Sequence, residues 1–412
     1  MILHKILVST FLAGILVGPA ATASTFETLY RFSGKADGLG AYGGFAANSP
    51  SVLYGITSSG GNFDNMHCGD GCGTIFSLDP ASGKFASLHK FTEGEGISLN
   101  SPLAPGGGNI YYGAAGYGGP GVTAGGGSIF KFDTGSRTVT VLYTLKGDNG
   151  TLTLPGTSVT LAKGGLYGSV VLGGPGNFGG IYRLDITTKA LKLVYAFGGS
   201  ANRPAGYNMN VGMVVGKDGM IYGATLQGGS KNSGMLFRID PATQKITALR
   251  AIDDGNGGIV SGALTVGPDD SLYGTTAQGS TAEHNCGGTG CGAIFKFDTK
   301  TLKFTVLHSF TGGADGGYPE GSTAINSNGQ VLYGVTGFGG THNQGALYRI
   351  SLATDRLTVL RAFTGGAGGG IQENGLPSLT LHGGKLFGVT TTGGNLKDCN
   401  NQGCGTIFSF TP

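Results

Sequence analysis

Six cysteines are the residues of this 412-residue chain whose spacing points most clearly to chemistry. They fall as three close pairs, Cys68 with Cys72, Cys286 with Cys291 and Cys399 with Cys404. Close, even pairs in an exported chain read as disulfides pinning loops, because a gap this short closes when the loop curls. A metal reading competes, since His67 adjoins Cys68 and His284 lies two before Cys286, but each cluster lacks a fourth ligand. No metal and no cofactor are expected. The other histidines do not assemble into a site. His4 lies at the N-terminus, and His342 and His382 stand alone. His89 and His308 share a position that other copies of a repeat fill with Tyr30, Tyr143, Tyr195, Arg250 and Arg361, a place for a large side chain with a polar tip. Asp253-Asp254-Gly255-Asn256-Gly257 has the outline of a calcium loop without its ligand spacing or closing glutamate, and reads as a turn. No nucleophile elbow, zinc-protease helix or phosphate loop is present, so no catalytic residue is assigned.

The elements that would position such residues are repeated seven times. An aromatic-glycine pair follows an aliphatic or aromatic residue at Tyr54-Gly55, Tyr112-Gly113, Tyr167-Gly168, Tyr222-Gly223, Tyr273-Gly274, Tyr333-Gly334 and Phe387-Gly388. The glycines step by 58, 55, 55, 51, 60 and 54 residues. A Gly-Gly follows in six copies, the fifth reading Gly279-Ser280, and Gly-x-[Ile/Leu]-[Phe/Tyr] closes all seven, from Gly73–Phe76 to Gly405–Phe408. Fixed periods of this length mark solenoids, propellers or arrays. Each copy reads as four short strands of β-branched and aromatic residues between Gly, Asp, Asn and Pro clusters. Eighty-four glycines make long helices untenable over most of the chain. The expected fold is all-β: a seven-bladed β-propeller with four-stranded blades. The last copy stops after its third strand, and Thr28–Phe32 reads like the missing fourth, so an N-terminal strand is expected to complete the last blade and close the ring.

Successive loops of such a ring alternate between its two ends. Turns such as Lys217-Asp218-Gly219 and Ser327-Asn328-Gly329 are tight, so one end is compact. The other receives the long glycine-rich loops between strands two and three, which carry all six cysteines, and the interblade loops such as 310–316. Variable loops on a repeating scaffold are where ligands are met.

Residues 1–23 have a basic start at His4 and Lys5, an apolar stretch over Ile6–Val17 and a small-residue Ala21-Thr22-Ala23 end, the pattern of a secretory signal peptide. Residues 24–412 are then expected to form one propeller domain that is secreted, extracellular or periplasmic. A net charge of +3 and only 12% charged residues give no basis for a nucleic-acid partner. No membrane span is expected, and the protein reads as a monomer.

The combination Leu272-Tyr273-Gly274-Thr275-Thr276, Gly292-Ala293-Ile294-Phe295, Val306–Phe310, Gly312, Asp315-Gly316 and Pro319 resembles the GloVer tandem-repeat family of exported bacterial proteins, also described as choice-of-anchor repeat proteins. The likeness covers residues 25–412, with Ala115 and Val170 standing where most copies have Thr. It implies export and brings no catalytic residue with it. The expected function is a non-catalytic scaffold binding a glycan, peptide or surface partner through the long-loop face. Tyr117 and Phe338 are candidate contacts, with loop packing as the competing reading, and Asp315 is a third. The rival expectation is a secreted polysaccharide lyase or hydrolase, which would need ionisable residues from different blades converging at the channel mouth.

Overall fold

A computed structural model describes residues 24–49, 51–63, 68–121, 126–146, 153–198, 209, 211–229, 232–252, 258–279, 286, 290–366 and 378–412. The expected leader, His67, His284 and the turn at 253–257 lie outside them. Blade one is β2–β5 (Leu39–Ser49, Val52–Ser59, Thr74–Leu78, Phe85–Lys90), and blade two is β6–β9 (Ala104–Gly107, Ile110–Ala115, Gly127–Asp133, Thr138–Leu145). Blade three is β10–β13 (Thr153–Ala162, Gly165–Leu172, Gly180–Asp185, Leu191–Ala196), and blade four is β14–β17 (Val214–Val215, Ile221–Thr225, Met235–Ile239, Ile246–Ala251). Blade five is β18–β21 (Thr265–Val266, Leu272–Thr276, Ala293–Phe297, Phe304–Ser309), and blade six is β22–β25 (Gly317–Ile325, Val331–Phe338, Ala346–Ser351, Leu357–Ala362). Blade seven joins β26–β28 (Thr380–His382, Lys385–Thr390, Thr406–Thr411) to β1 (Thr25–Arg31).

β1 lies antiparallel on β28, Thr25 opposite Thr411 and Arg31 opposite Thr406, so the two chain ends close the ring as the sequence suggests. The strand begins three residues earlier than Thr28 and ends at Arg31, leaving Phe32 as a fully buried plug behind it. Closure places Phe26 5.1 Å from Phe408 in a stack, with the Arg361 guanidinium 3.8 Å above its ring. Seven apolar cores fill the seven gaps between neighbouring blades. Both faces of every blade are therefore buried, which explains strands with apolar residues on both parities.

The repeat motif has a physical origin. In each blade the glycine of the aromatic-glycine pair sits directly opposite the third-strand aromatic, as Gly55 opposite Phe76 and Gly274 opposite Phe295. The ring lies flat across the glycine: a Cβ on Gly274 would come within 2.5 Å of Phe295 Cζ. Only glycine leaves room for that cross-strand cover. The threonine two positions on accepts a backbone N–H from the third strand, as in Thr57 from Thr74 (3.1 Å), Thr336 from Ala346 (2.9 Å) and Thr390 from Thr406 (3.0 Å). Ala115 and Val170 forgo this bond in blades two and three.

Every fourth strand carries a β-bulge at one place, seen as a register shift between Ile75 and Phe76 and between Leu347 and Tyr348. The bulge moves the following residue to the opposite face. His89, Tyr143, Tyr195, Arg250, His308, Arg361 and Tyr30 all occupy that next position, each opposite an Ile or Leu of the third strand.

Candidate functional site

The long loops between second and third strands are held by two alternative devices. Blades one, five and seven use disulfides: Cys68–Cys72, Cys286–Cys291 and Cys399–Cys404, with Cα separations of 5.0, 5.4 and 5.3 Å. Blades three, four and six use an asparagine in the left-handed region, Asn177, Asn232 and Asn343. Its side-chain oxygen accepts the N–H of the first glycine of the Gly-Gly pair, at 2.8 Å from Gly173, 3.0 Å from Gly228 and 3.2 Å from Gly339. Both glycines of each pair have positive φ, which is why the pair recurs.

The disulfides also brace the interblade loops. Cys399 and Cys404 sulfurs pack on Gly34, while Tyr318 donates its N–H to the Cys291 carbonyl at 2.9 Å and its hydroxyl to the Cys286 carbonyl at 3.3 Å. After the same three blades a carboxylate folds the interblade loop back onto the fourth strand. Tyr30 donates to Asp37 at 2.9 Å, His89 Nε2 lies 3.1 Å from both Glu95 oxygens, and His308 Nε2 lies 3.2 Å from Asp315. A Ser or Thr backbone N–H and hydroxyl complete each latch: Ser33 on Asp37, Thr92 on Glu95 and Thr311 on Asp315. Burial raises the Glu95 and Asp315 carboxyls, but the bonds from the histidines and threonines outweigh it and hold both below the ordinary carboxylate range. Sequence reading missed these latches because the acid alternates between Asp and Glu and its spacing shifts by one residue.

Asp315 thus sits inside a latch. Phe338 ends β23 half-buried, with its ring edge-on to Tyr318 at 6.0 Å. Tyr117 is different. Its backbone is fixed by a two-bond bridge to Ile97 of the interblade loop (2.9 and 3.2 Å), while its side chain is 43% exposed. It belongs to a set not anticipated as a whole: Leu396, Phe63, Tyr117, Leu172 and Phe178 are all large, apolar and exposed. They lie in, or at the edge of, the second-to-third-strand loops of blades seven, one, two and three, which are consecutive around the ring.

On the axis the channel narrows to a cavity of about 40 Å³ lined by residues of all seven blades, among them Gly43, Pro102, Ser158, Gly212, Ala263, Ser322 and Ser378. None of the described residues that line it is ionisable. Hydroxyls stitch the inner strands together around it, as Thr160 to the Met213 carbonyl (2.7 Å), Thr265 to the Thr323 carbonyl (2.8 Å) and Ser378 accepting from Ser322 N–H (3.0 Å). That space holds a water or a few and no sugar ring. One register step toward the long loops, Tyr42 of blade one and Glu320 of blade six occupy equivalent places, opposite Ile56 and Val335. Glu320 is buried, and the Tyr42 phenol is pushed up by burial and by the Glu320 charge. At the tight-turn end the channel widens into a mainly apolar mouth of about 340 Å³.

Among the described residues no group of three or more His, Cys, Asp or Glu is placed to hold a metal ion. His382 lies edge-on to Phe387 at 6.4 Å. No helix of the described residues is long and apolar enough to cross a membrane.

Among solved structures the chain is similar to the extracellular domain of a protein described as a one-component system of B. thetaiotaomicron, at 12% identity and TM-score 0.55, covering 94% of this chain and 39% of that one. It is also similar to an oligogalacturonate lyase of Vibrio parahaemolyticus, at 12% identity and TM-score 0.57 over 94% of this chain and 97% of that one. The GH74 enzyme of Niastella koreensis matches at 16% identity and TM-score 0.57, over 88% of this chain and 53% of that one. These likenesses concern the fold. No curated protein matches the sequence. The model of the Gloeobacter/Verrucomicrobia repeat matches twice in tandem, over residues 13–208 and 201–408, spanning nearly all the blades. The chain belongs to the Gloeobacter/Verrucomicrobia repeat family.

Proposed function

We propose that this protein is an exported, non-catalytic propeller that binds a glycan, peptide or surface partner through its long-loop face. The observation that carries this reading is the run of exposed apolar side chains on four consecutive blades, Leu396, Phe63, Tyr117, Leu172 and Phe178. Val215 and Leu302 at the tight-turn end are exposed as well, but five of the seven such side chains among the described residues gather on the long-loop face, on loops pinned by disulfides, an asparagine and a backbone bridge. Export is supported by the signal-like residues 1–23 and by three disulfides, which persist in oxidising compartments. A glycan array with the purified protein tests the reading: binding that Tyr117→Ala weakens severalfold is expected. Binding unaffected by Tyr117, Phe63 and Phe178 substitutions together would overturn it.

The second reading is a polysaccharide lyase or hydrolase, and the observation favouring it is Tyr42 with Glu320, two ionisable groups from different blades beside the axis. Fold alone does not choose, because propellers host both uses. Turnover of an arrayed polysaccharide that Glu320→Gln abolishes would establish the second reading over the first.

A further inference from the structure

The loop of blade one holds a built pocket at its outer rim. Gly61 N–H donates to the Lys35 carbonyl at 2.7 Å, and the Asn62 carbonyl accepts from Cys72 N–H at 3.1 Å. Cys72 is disulfide-bonded, so Phe63 is carried on backbone tied directly to a covalent link. Gly61 packs against Thr74, and Thr74 is the β4 partner of Lys90, the last residue of the outer strand. The loop therefore folds across β4 and sets the Phe63 ring, 46% exposed, beside the exposed Lys90 side chain. Gly61, Asn62, Phe63 and Lys90 line a cavity of about 350 Å³, inside the range of small-ligand sites. Among the described residues Lys90 is the one charged residue of that lining.

The sequence pattern and the strand pairing beneath it recur in the next blade of the ring. Gly394-Asn395-Leu396 follows the second strand of blade seven as Gly61-Asn62-Phe63 follows that of blade one. Gly394 packs on Thr406 and on Arg31, and Arg31 is the β28 partner of Thr406. Leu396 is exposed like Phe63, and Arg31 is exposed like Lys90. The five remaining blades place Thr144, Ala196, Ala251, Ser309 and Ala362 at the position of the cation. Among the described residues an exposed apolar side chain on the second-to-third-strand loop together with a cation at this fourth-strand position is thus confined to two adjacent blades.

We propose that these are two neighbouring subsites for an oligosaccharide of uronic acids. The apolar face of one pyranose ring covers Phe63 with its carboxylate at Lys90, and a second residue meets Leu396 and Arg31. An ammonium or guanidinium at the edge of an apolar platform selects a sugar carrying an anion over its neutral counterpart. The assignment rests on the long-loop reading and narrows its ligand.

The test is calorimetric titration of the intact protein with a β-1,4-linked glucuronate tetramer and with cellotetraose, which has the same sugar skeleton without carboxylates. The glucuronate tetramer is expected to bind at least tenfold more tightly, with affinity falling as salt rises. Lys90→Gln and Arg31→Gln should each cut that affinity about tenfold and leave cellotetraose unchanged, Lys90→Arg should retain it, and Phe63→Ala should weaken both sugars. All three side chains are exposed, so an unchanged melting temperature confirms folding. Equal affinity for the two sugars, or glucuronate binding indifferent to Lys90, Arg31 and Phe63, overturns the assignment. In either case glycan binding that still depends on Tyr117 leaves the broader reading standing. Binding of neither tetramer also overturns the assignment, and the array decides the broader reading separately.

Discussion

Tyr182 and Tyr348 occupy a position that the other five blades fill with phenylalanine, and both are fully buried with hydroxyls that find no hydrogen-bond partner among the described residues. Each hydroxyl is pressed against the glycine opposite it, Gly168 or Gly334. Burial pushes both phenols well above the ordinary tyrosine range, as an uncompensated polar group requires. Replacing tyrosine by phenylalanine removes one oxygen and nothing else. Relieving an unsatisfied buried hydroxyl is worth about 1–3 kcal/mol. Against that stands the space left behind: at about 24 cal/mol per Å³, the roughly 10 Å³ vacated costs about 0.2 kcal/mol. Each substitution should therefore stabilise the protein by about 1 kcal/mol. The two sites lie in blades three and six, share no partner, and should add. Urea titration followed by intrinsic fluorescence is the assay, with a higher midpoint and unchanged slope for each variant and for the pair. A variant less stable than the parent by more than about 0.5 kcal/mol would refute the reasoning, since it would mean that the hydroxyl had a partner worth keeping.

Three other variants probe the framework. Gly274→Ala drives a Cβ into the Phe295 ring and should cost about 1–3 kcal/mol in the same titration; a cost near zero would show that the ring is free to retreat. Replacing Cys399 and Cys404 together by serine opens a short loop and should cost about 2 kcal/mol, measured as a lower melting temperature than that of the oxidised parent, with no change refuting a stabilising role for this bridge. Glu95→Gln with Asp315→Asn tests the latches: both carboxyls are held low in the fold, so their stabilisation is full above the unfolded carboxylate range and is lost as pH falls through the folded values. The melting-temperature gap between parent and double variant should therefore shrink between pH 5 and pH 3, and a gap that stays constant would assign the latches no charge-dependent role.

The ring was legible because its requirements are local and repeated. A glycine under an aromatic ring, a glycine pair at positive φ and a threonine that caps the third strand recur at one spacing in nearly every blade, so a single chain contains its own alignment. The closing strand was legible for the complementary reason, since one copy lacked a strand and the other end of the chain supplied it. The β-bulge was not, because it appears in sequence only as a change of apolar parity, as between Val359 and Arg361, which also suits a strand buried on both faces. The pocket was beyond sequence reading for a different reason. Phe63 and Lys90 are far apart along the chain and become neighbours only through the pairing of Thr74 with Lys90 and the folding of Gly61 onto Thr74.

The same distinction separates framework from function. Every residue that recurs in all or nearly all blades has a packing or hydrogen-bonding duty that the fold itself explains, and those duties leave the side chains buried or bonded. A ligand site on such a scaffold must break the repeat, because seven equal blades offer seven equal surfaces and no preferred place. The departures are where selection for binding has had room to act. Some departures still serve the framework, as the disulfides and asparagines that exchange for one another show, and Asp315 belongs with these. The exposed side chains of blades seven, one, two and three lie outside the seven apolar cores. Holding Phe63 or Tyr117 in water on a pinned loop forfeits part of the roughly 1.5–3 kcal/mol that burying such a side chain would return. A closed ring with ample cores has no structural use for that loss, and a partner that covers these side chains recovers it.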